Sequence, residues 1–250
     1  MTNVLLASPE LSDNAVITGT QGMGDMNVGN LKKRSLKVKY RTSSEAEINI
    51  DLSAAKDVNC VALIGHNGTG SVTVKAGTTS DCTDYTSGSL NLISGDDIGE
   101  DKNLFIHLLD ETYRYWKLEI SHSGDYFEAG RLYISNAFIP EKNAEYGFKE
   151  GLKDNSRVTR TMSGEPNPLR RQPFKTVDFS FGFLSRAEAN SLYDFDKRRG
   201  VSRDVLYVFD ATSENIQRSH IYGLITQLEP IELPYHEIYK KRYQIEEIPA

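Results

Sequence analysis

Apolar residues in this chain recur at every second position in short runs, and turn-forming residues end each run within a few positions. A period of two sends alternate side chains to opposite faces, the geometry of a strand with one face buried. Leu36, Val38 and Tyr40 follow it, as do Ile48, Ile50 and Leu52, with polar residues between. The segment CVALIGHNGTGSVTVKAG predicts a buried strand from Val58 to Ile64, a glycine-rich turn from Gly65 to Gly70, and a second strand from Ser71 to Lys75 paired with the first. Further strands are expected at Leu104–Leu108, Tyr113–Ile120, Gly130–Phe138, Arg157–Met162, Phe174–Phe183, Val205–Asp210, His220–Leu228 and Ile238–Ile245. The pattern predicts an all-β chain, mostly strand with one short helix.

That helix is placed by a capping box. The Ser185 hydroxyl can accept from the Glu188 N–H while the Glu188 carboxylate accepts from the Ser185 N–H. Ala189, Leu192 and Phe195 supply an apolar stripe, and Gly200 is positioned to end the helix. Pro140 and the unpatterned EKNAEYG behind it mark a joint, so residues 1–140 are expected to form a β-sandwich and residues 141–250 a β-rich domain. Charge divides at the same place: residues 1–140 carry 12 Lys and Arg against 18 Asp and Glu, whereas 141–250 carry 17 of each.

Several function classes find little support. With 38% hydrophobic and 26% charged residues the composition is globular. Apolar runs such as Val61–Ile64 fall far short of the roughly 20 residues of a membrane-spanning helix. The first residues carry no Lys or Arg ahead of their short apolar patch, which argues against a secretory signal. A net charge of −6 disfavours sequence-specific nucleic-acid binding. Gly65 and Gly70 have phosphate-loop spacing, but Ser71 stands where that loop needs lysine. No GxSxG elbow is present, and His66, His107, His122, His220 and His236 are scattered without metal-ligand spacing, so no enzyme activity and no cofactor are expected. Asp96, Asp97, Glu100 and Asp101 lack the alternating spacing of a calcium loop and read as a solvated turn. Cys60 and Cys82 read as two reduced, buried thiols. Asn67-Gly68-Thr69 matches a glycosylation acceptor. The triplets Lys32-Lys33-Arg34, Lys197-Arg198-Arg199 and Lys240-Lys241-Arg242 read as surface charge rather than a partner site. Tyr113, Tyr115 and Trp116 have the composition of a sugar-stacking cluster, but alternation sends Tyr115 and Trp116 to opposite faces and Trp116 to the core.

Two segments, CVALIGHNGTGSVTVKAG and RYWKLEISHSGDYFEAGRLYI, resemble the galactose-binding-like (discoidin-like) jelly roll over about half the chain. Such jelly rolls serve sugar binding in some proteins and assembly in others. The strand ending in ALIGHN, joined to a β domain with one helix before VLYVFD, resembles structural tail proteins of tailed bacteriophages. That resemblance implies a non-enzymatic virion component of the tail or baseplate, assembled as a homo-oligomeric ring, contacting other tail proteins and made in the host cytoplasm. The order departs from distal tail proteins, where the jelly roll follows the ring-forming part. The alternative is a carbohydrate-binding module whose partner is a surface glycan.

The stretch SGEPNPLRRQP is longer than a routine hairpin connection. Pro166, Pro168 and Pro173 disfavour sheet pairing, and Arg170 and Arg171 offer forked donors suited to carboxylates. These five residues read either as an intersubunit arm or as a surface loop.

Overall fold

The computed structural model describes residues 3–43, 45–92, 103–211 and 216–248. They form two compact units, one comprising the chain up to Ile139 together with Val208–His220, the other Pro140–Tyr207 together with Ile221 onward. A linear division at residue 140 does not describe this arrangement, because a late segment returns to the first unit. Gln217 holds it there: its Nε2 donates to the Leu104 carbonyl (2.7 Å) and its Oε1 accepts from the Leu104 N–H (2.8 Å).

The first unit contains β1 (Leu5–Ala7), the five-residue helix α1 (Glu10–Asn14), β2 (Val16–Gly19), a 3₁₀ turn at Val28–Lys32, and β3 (Tyr40–Thr42). It continues with β4 (Glu45–Ile64), β5 (Gly70–Gly77), β6 (Tyr85–Leu92), β7 (Leu104–His122), β8 (Phe127–Ala129) and β9 (Arg131–Ser135). Two long antiparallel strands organise it. β4 and β7 pair from Glu45↔Ser121 to Ile64↔Leu104, with register shifts between Asp51 and Lys56 and between Val58 and Cys60. Such irregularities bend a strand and increase its twist. The early half of β4 lies between β2 and β7, and its late half lies between β9 and β7. Ile48 and Ile50 from one half and Val61 and Leu63 from the other enter one core with Trp116, Leu118 and Phe127.

Several sequence expectations change here. Val58–Ile64 and Ser71–Lys75 do not pair with each other, because the strand order is β2-β4-β7-β5-β6 and β7 separates them. Ile64 meets the start of β7 at Leu104, whereas Gly70 meets its end at His122. The Gly65–Gly70 connection is thus a crossover from one end of β7 to the other. Leu104–Leu108 and Tyr113–Ile120 are one continuous strand rather than two. Leu36 and Val38 lie in a turn, where Leu36 is nonetheless buried. Asp96, Asp97, Glu100 and Asp101 lie outside the described residues.

The second unit contains β10 (Lys149–Lys153), β11 (Arg157–Arg160), β12 (Pro166–Leu169), β13 (Phe174–Leu184), α2 (Arg186–Arg199), β14 (Asp204–Val208), β15 (His220–Ile225), β16 (Glu232–Tyr235) and β17 (Ile238–Glu247). Its sheet runs β14-β15-β17-β13-β10, with β16 also paired to β17. Helix α2 forms as its capping box requires: Ser185 Oγ accepts from Glu188 N (3.3 Å), and Ser185 N donates to Glu188 Oε2 (2.8 Å). Gly200 caps it with a φ of 58°, the left-handed region that favours glycine. Its stripe of Ala189, Leu192 and Phe195 is buried, as is the aromatic group of Phe179, Phe181, Tyr207 and Tyr243 on the sheet.

Two members of the basic triplets are not surface charge. Arg199 and Lys241 are buried. Asp196 continues the inward stripe of α2, and alternation along β17 turns Lys241 and Tyr243 to the same side. Lys241 Nζ lies 2.5 Å from Asp196 Oδ2, and the Tyr243 hydroxyl donates to Asp196 Oδ1 at 2.9 Å.

Candidate functional site

Pro166 and Pro168 occupy a strand, although prolines disfavour sheet pairing. β12 pairs with β11 through Arg157↔Leu169, Val158↔Pro168, Thr159↔Asn167 and Arg160↔Pro166. The ladder bond from Thr161 N to Glu165 O (3.0 Å) fixes the pattern, since hydrogen-bonded pairs alternate with non-bonded ones in an antiparallel ladder. Thr159↔Asn167 then belongs to the bonded set, and both prolines sit at positions whose missing N–H would point away from the partner. Gly164, with a φ of 85°, turns the tip, and Ser156 Oγ accepts from Arg171 N (2.8 Å) to close the base.

Every residue from Arg157 to Pro173 is exposed, including Pro166, Pro168, Arg170, Arg171 and Pro173. A two-stranded hairpin with no buried face is marginal in water by itself. Among the described residues, twelve of the seventeen exposed large hydrophobics belong to the second unit, including Leu152 (75%), Leu169 (62%) and Tyr235 (71%). β10 ends the sheet order, and all five of its residues are exposed. Lysines at both of its ends, Lys149 and Lys153, are a common protection of such an edge. Sequence patterning singled out the 163–173 stretch but missed β16, whose Leu233 and Tyr235 alternate across a Pro234 that reads as a breaker.

The first unit carries a second cluster. β3 and β8 place Arg41 opposite Glu128. The Glu128 carboxylate accepts from Lys39 Nζ (2.6 Å), Arg41 Nε (3.0 Å) and Arg41 Nη2 (2.7 Å), and its hydrogen bond pushes the Arg41 pKa up. The Arg41 guanidinium stands 4.4 Å from the centre of the half-open Tyr126 ring, a cation–π distance. Asn67 ties in the same loops, accepting from Glu128 N (2.8 Å) and donating to the Tyr126 carbonyl (3.0 Å). Its carboxamide, the candidate glycan acceptor, is therefore committed to internal hydrogen bonds. An exposed planar ring backed by a forked donor is chemistry that packs against a sugar face and bonds its hydroxyls.

The histidines are dispersed. His66 is fully buried, its Nδ1 accepts from Gly68 N (3.2 Å), and burial, then His220 and His122, push its pKa down to about 4. His122 Nδ1 accepts from Thr69 N (3.0 Å), His107 Nε2 meets the Tyr85 hydroxyl (2.9 Å), and His220 Nδ1 donates to the Ile216 carbonyl (2.8 Å). His236 is exposed in the turn between β16 and β17. No group of three potential metal ligands occurs among the described residues. Gly70 serves packing: with a φ of 151°, a Cβ there would lie 2.1 Å from the Ser121 carbonyl oxygen. Trp116 is fully buried and gives its indole N–H to the Tyr113 carbonyl (3.3 Å), so it belongs to the core. Cys60 and Cys82 are buried free thiols, and burial pushes the Cys60 thiol up to about 12. Among the described residues no helix is long and apolar enough to cross a membrane.

No family model matches the chain, and no curated protein matches it. Among solved structures it is similar to a family 32 carbohydrate-binding module of Clostridium perfringens in complex with GalNAc-β-1,3-galactose, with 11% identity, a TM-score of 0.41, and coverage of 52% of this chain and 99% of that one. The family 32 module of C. perfringens NanJ in complex with galactose gives 13% identity and a TM-score of 0.41 over 52% of this chain and 98% of that one. A Streptococcus pneumoniae fucose-binding module gives 12% identity and a TM-score of 0.39 over 48% and 89%. The likeness thus extends over about half the chain.

Proposed function

We propose that this chain is a non-enzymatic structural protein that self-associates into a ring through its second unit, as a component of a bacteriophage tail or baseplate. The observation that carries the self-association is the Arg157–Leu169 hairpin, ordered by its own ladder yet exposed on both faces, within a unit that holds twelve of the seventeen exposed large hydrophobics among the described residues. Exposed apolar surface of this kind on a folded unit marks a site for protein contact. The tail assignment rests on the ALIGHN and VLYVFD resemblance. Deleting Glu165–Arg171 and measuring native mass tests the assembly: folded monomers are expected, and an undiminished ring refutes the arm's role.

Glycan recognition by the first unit is the second reading, favoured by the Tyr126–Arg41 stack at its surface. A glycan array probed with the chain and with its Tyr126→Ala variant tests it. Sugar binding lost in the variant supports this reading, and no binding by the unmodified chain overturns it.

A further inference from the structure

The hairpin arm carries four arginines, and Asp154 of the same chain, near Arg170, offsets part of that charge. Residues 157–171 contain Arg157, Arg160, Arg170 and Arg171 against the single acid Glu165, with Val158, Met162 and Leu169 exposed among them. Residues 227–237, QLEPIELPYHE, have the opposite character: Glu229, Glu232 and Glu237, no Lys or Arg, and Leu233 and Tyr235 exposed. All four residues of β16 are exposed, and so is the turn that follows. Glu232 stands opposite Lys240 in the ladder, but the Lys240 ammonium is 2.8 Å from Glu145. Among the described residues, Arg157, Arg171, Glu232 and Glu237 are in no ion pair within the chain.

We infer that the basic arm of one copy docks on the acidic β16 hairpin of the next copy, Arg170 and Arg171 meeting Glu232 and Glu237 while the exposed apolar residues of both pack between them. This deepens the self-association reading and rests on it. Both surfaces combine apolar side chains with complementary charge, and guanidinium–carboxylate pairs add direction to apolar contact. Donor and acceptor are different patches, so the contact is head-to-tail, the type that closes into a ring or runs on as a filament. Because every arm residue is exposed, the arm is not spent on a surface of its own chain.

Charge exchange tests this with the full chain. Native mass and sedimentation across a wide concentration range are compared for four proteins: unmodified, Arg170→Glu with Arg171→Glu, Glu232→Arg with Glu237→Arg, and all four together. Each reversed pair is expected to weaken association at least about tenfold, with the four-fold variant returning toward the unmodified value. All replaced side chains are exposed, and melting midpoints confirm that each variant folds. If the Glu232/Glu237 variant assembles as the unmodified chain does, or if the four-fold variant fails to recover, β16 is not the acceptor while self-association stands. An unmodified chain that stays monomeric throughout overturns the self-association reading itself.

Discussion

Asp196→Ala removes the carboxylate that two buried groups share. Lys241 is 2% exposed and Asp196 8%, so neither charge has water to fall back on. The variant leaves the Lys241 ammonium with the Glu229 carbonyl and the face of the Tyr243 ring, and strips the Tyr243 hydroxyl of its acceptor. Burial and the neighbouring Asp196 charge hold the Tyr243 phenol protonated by raising its pKa, so the hydroxyl stays a donor that needs an acceptor. Breaking one side of a buried pair costs about 3–5 kcal/mol, and an orphaned buried hydroxyl about 1–3 kcal/mol. The two losses share an atom group and do not add, so about 4 kcal/mol is expected, a large part of the total stability of a typical domain. Urea unfolding of Asp196→Ala, Lys241→Met and the double variant measures it. Removing both charges together should cost well under the sum of the singles, because replacing a buried pair with apolar groups of similar volume is often close to neutral. A loss below about 1 kcal/mol in Asp196→Ala, or strictly additive costs, would refute the shared burial as the cause.

Ser185→Ala should destabilise the second unit by about 1 kcal/mol, the usual cost of an N-cap. Glu188→Ala should cost more, since that carboxylate also accepts from Glu141 N at 2.8 Å; equal midpoints for the two would show that the Glu141 bond adds nothing beyond the box. His66 makes stability depend on pH. Its folded pKa, about 4, lies below the ordinary value of 6.5, so the unfolded chain binds a proton that the folded one refuses between those values. The contribution is full above pH 6.5 and is lost as pH falls toward 4, amounting to about 3 kcal/mol at the lower end. His66→Gln should flatten that slope in denaturant titrations, and an unchanged slope between pH 6.5 and 5 would assign it to other groups.

Local chemistry determined what the sequence could show by itself. Period-two alternation marked Ile48–Leu52, Phe174–Phe183 and Ile238–Ile245 as strands, because each side chain's face follows from its own position in the pleat. The capping box at Ser185 and Glu188 fixed the start of α2 for the same reason: its partners lie three residues apart. Strand order is a different matter. That β7 separates β4 from β5, and that Val208–His220 returns to the first unit, depends on contacts between residues more than a hundred positions apart in the case of Gln217 and Leu104. Burial of Lys241 is decided the same way, by an acid on a helix that its own neighbours in sequence do not reveal. The 163–173 stretch stood out by its prolines and arginines, but β12 within it did not, since only the ladder's parity shows that Pro166 and Pro168 leave the partner's bonds intact. Tertiary structure alone set these features because long-range pairing is chosen by the whole core rather than by any local run of residues.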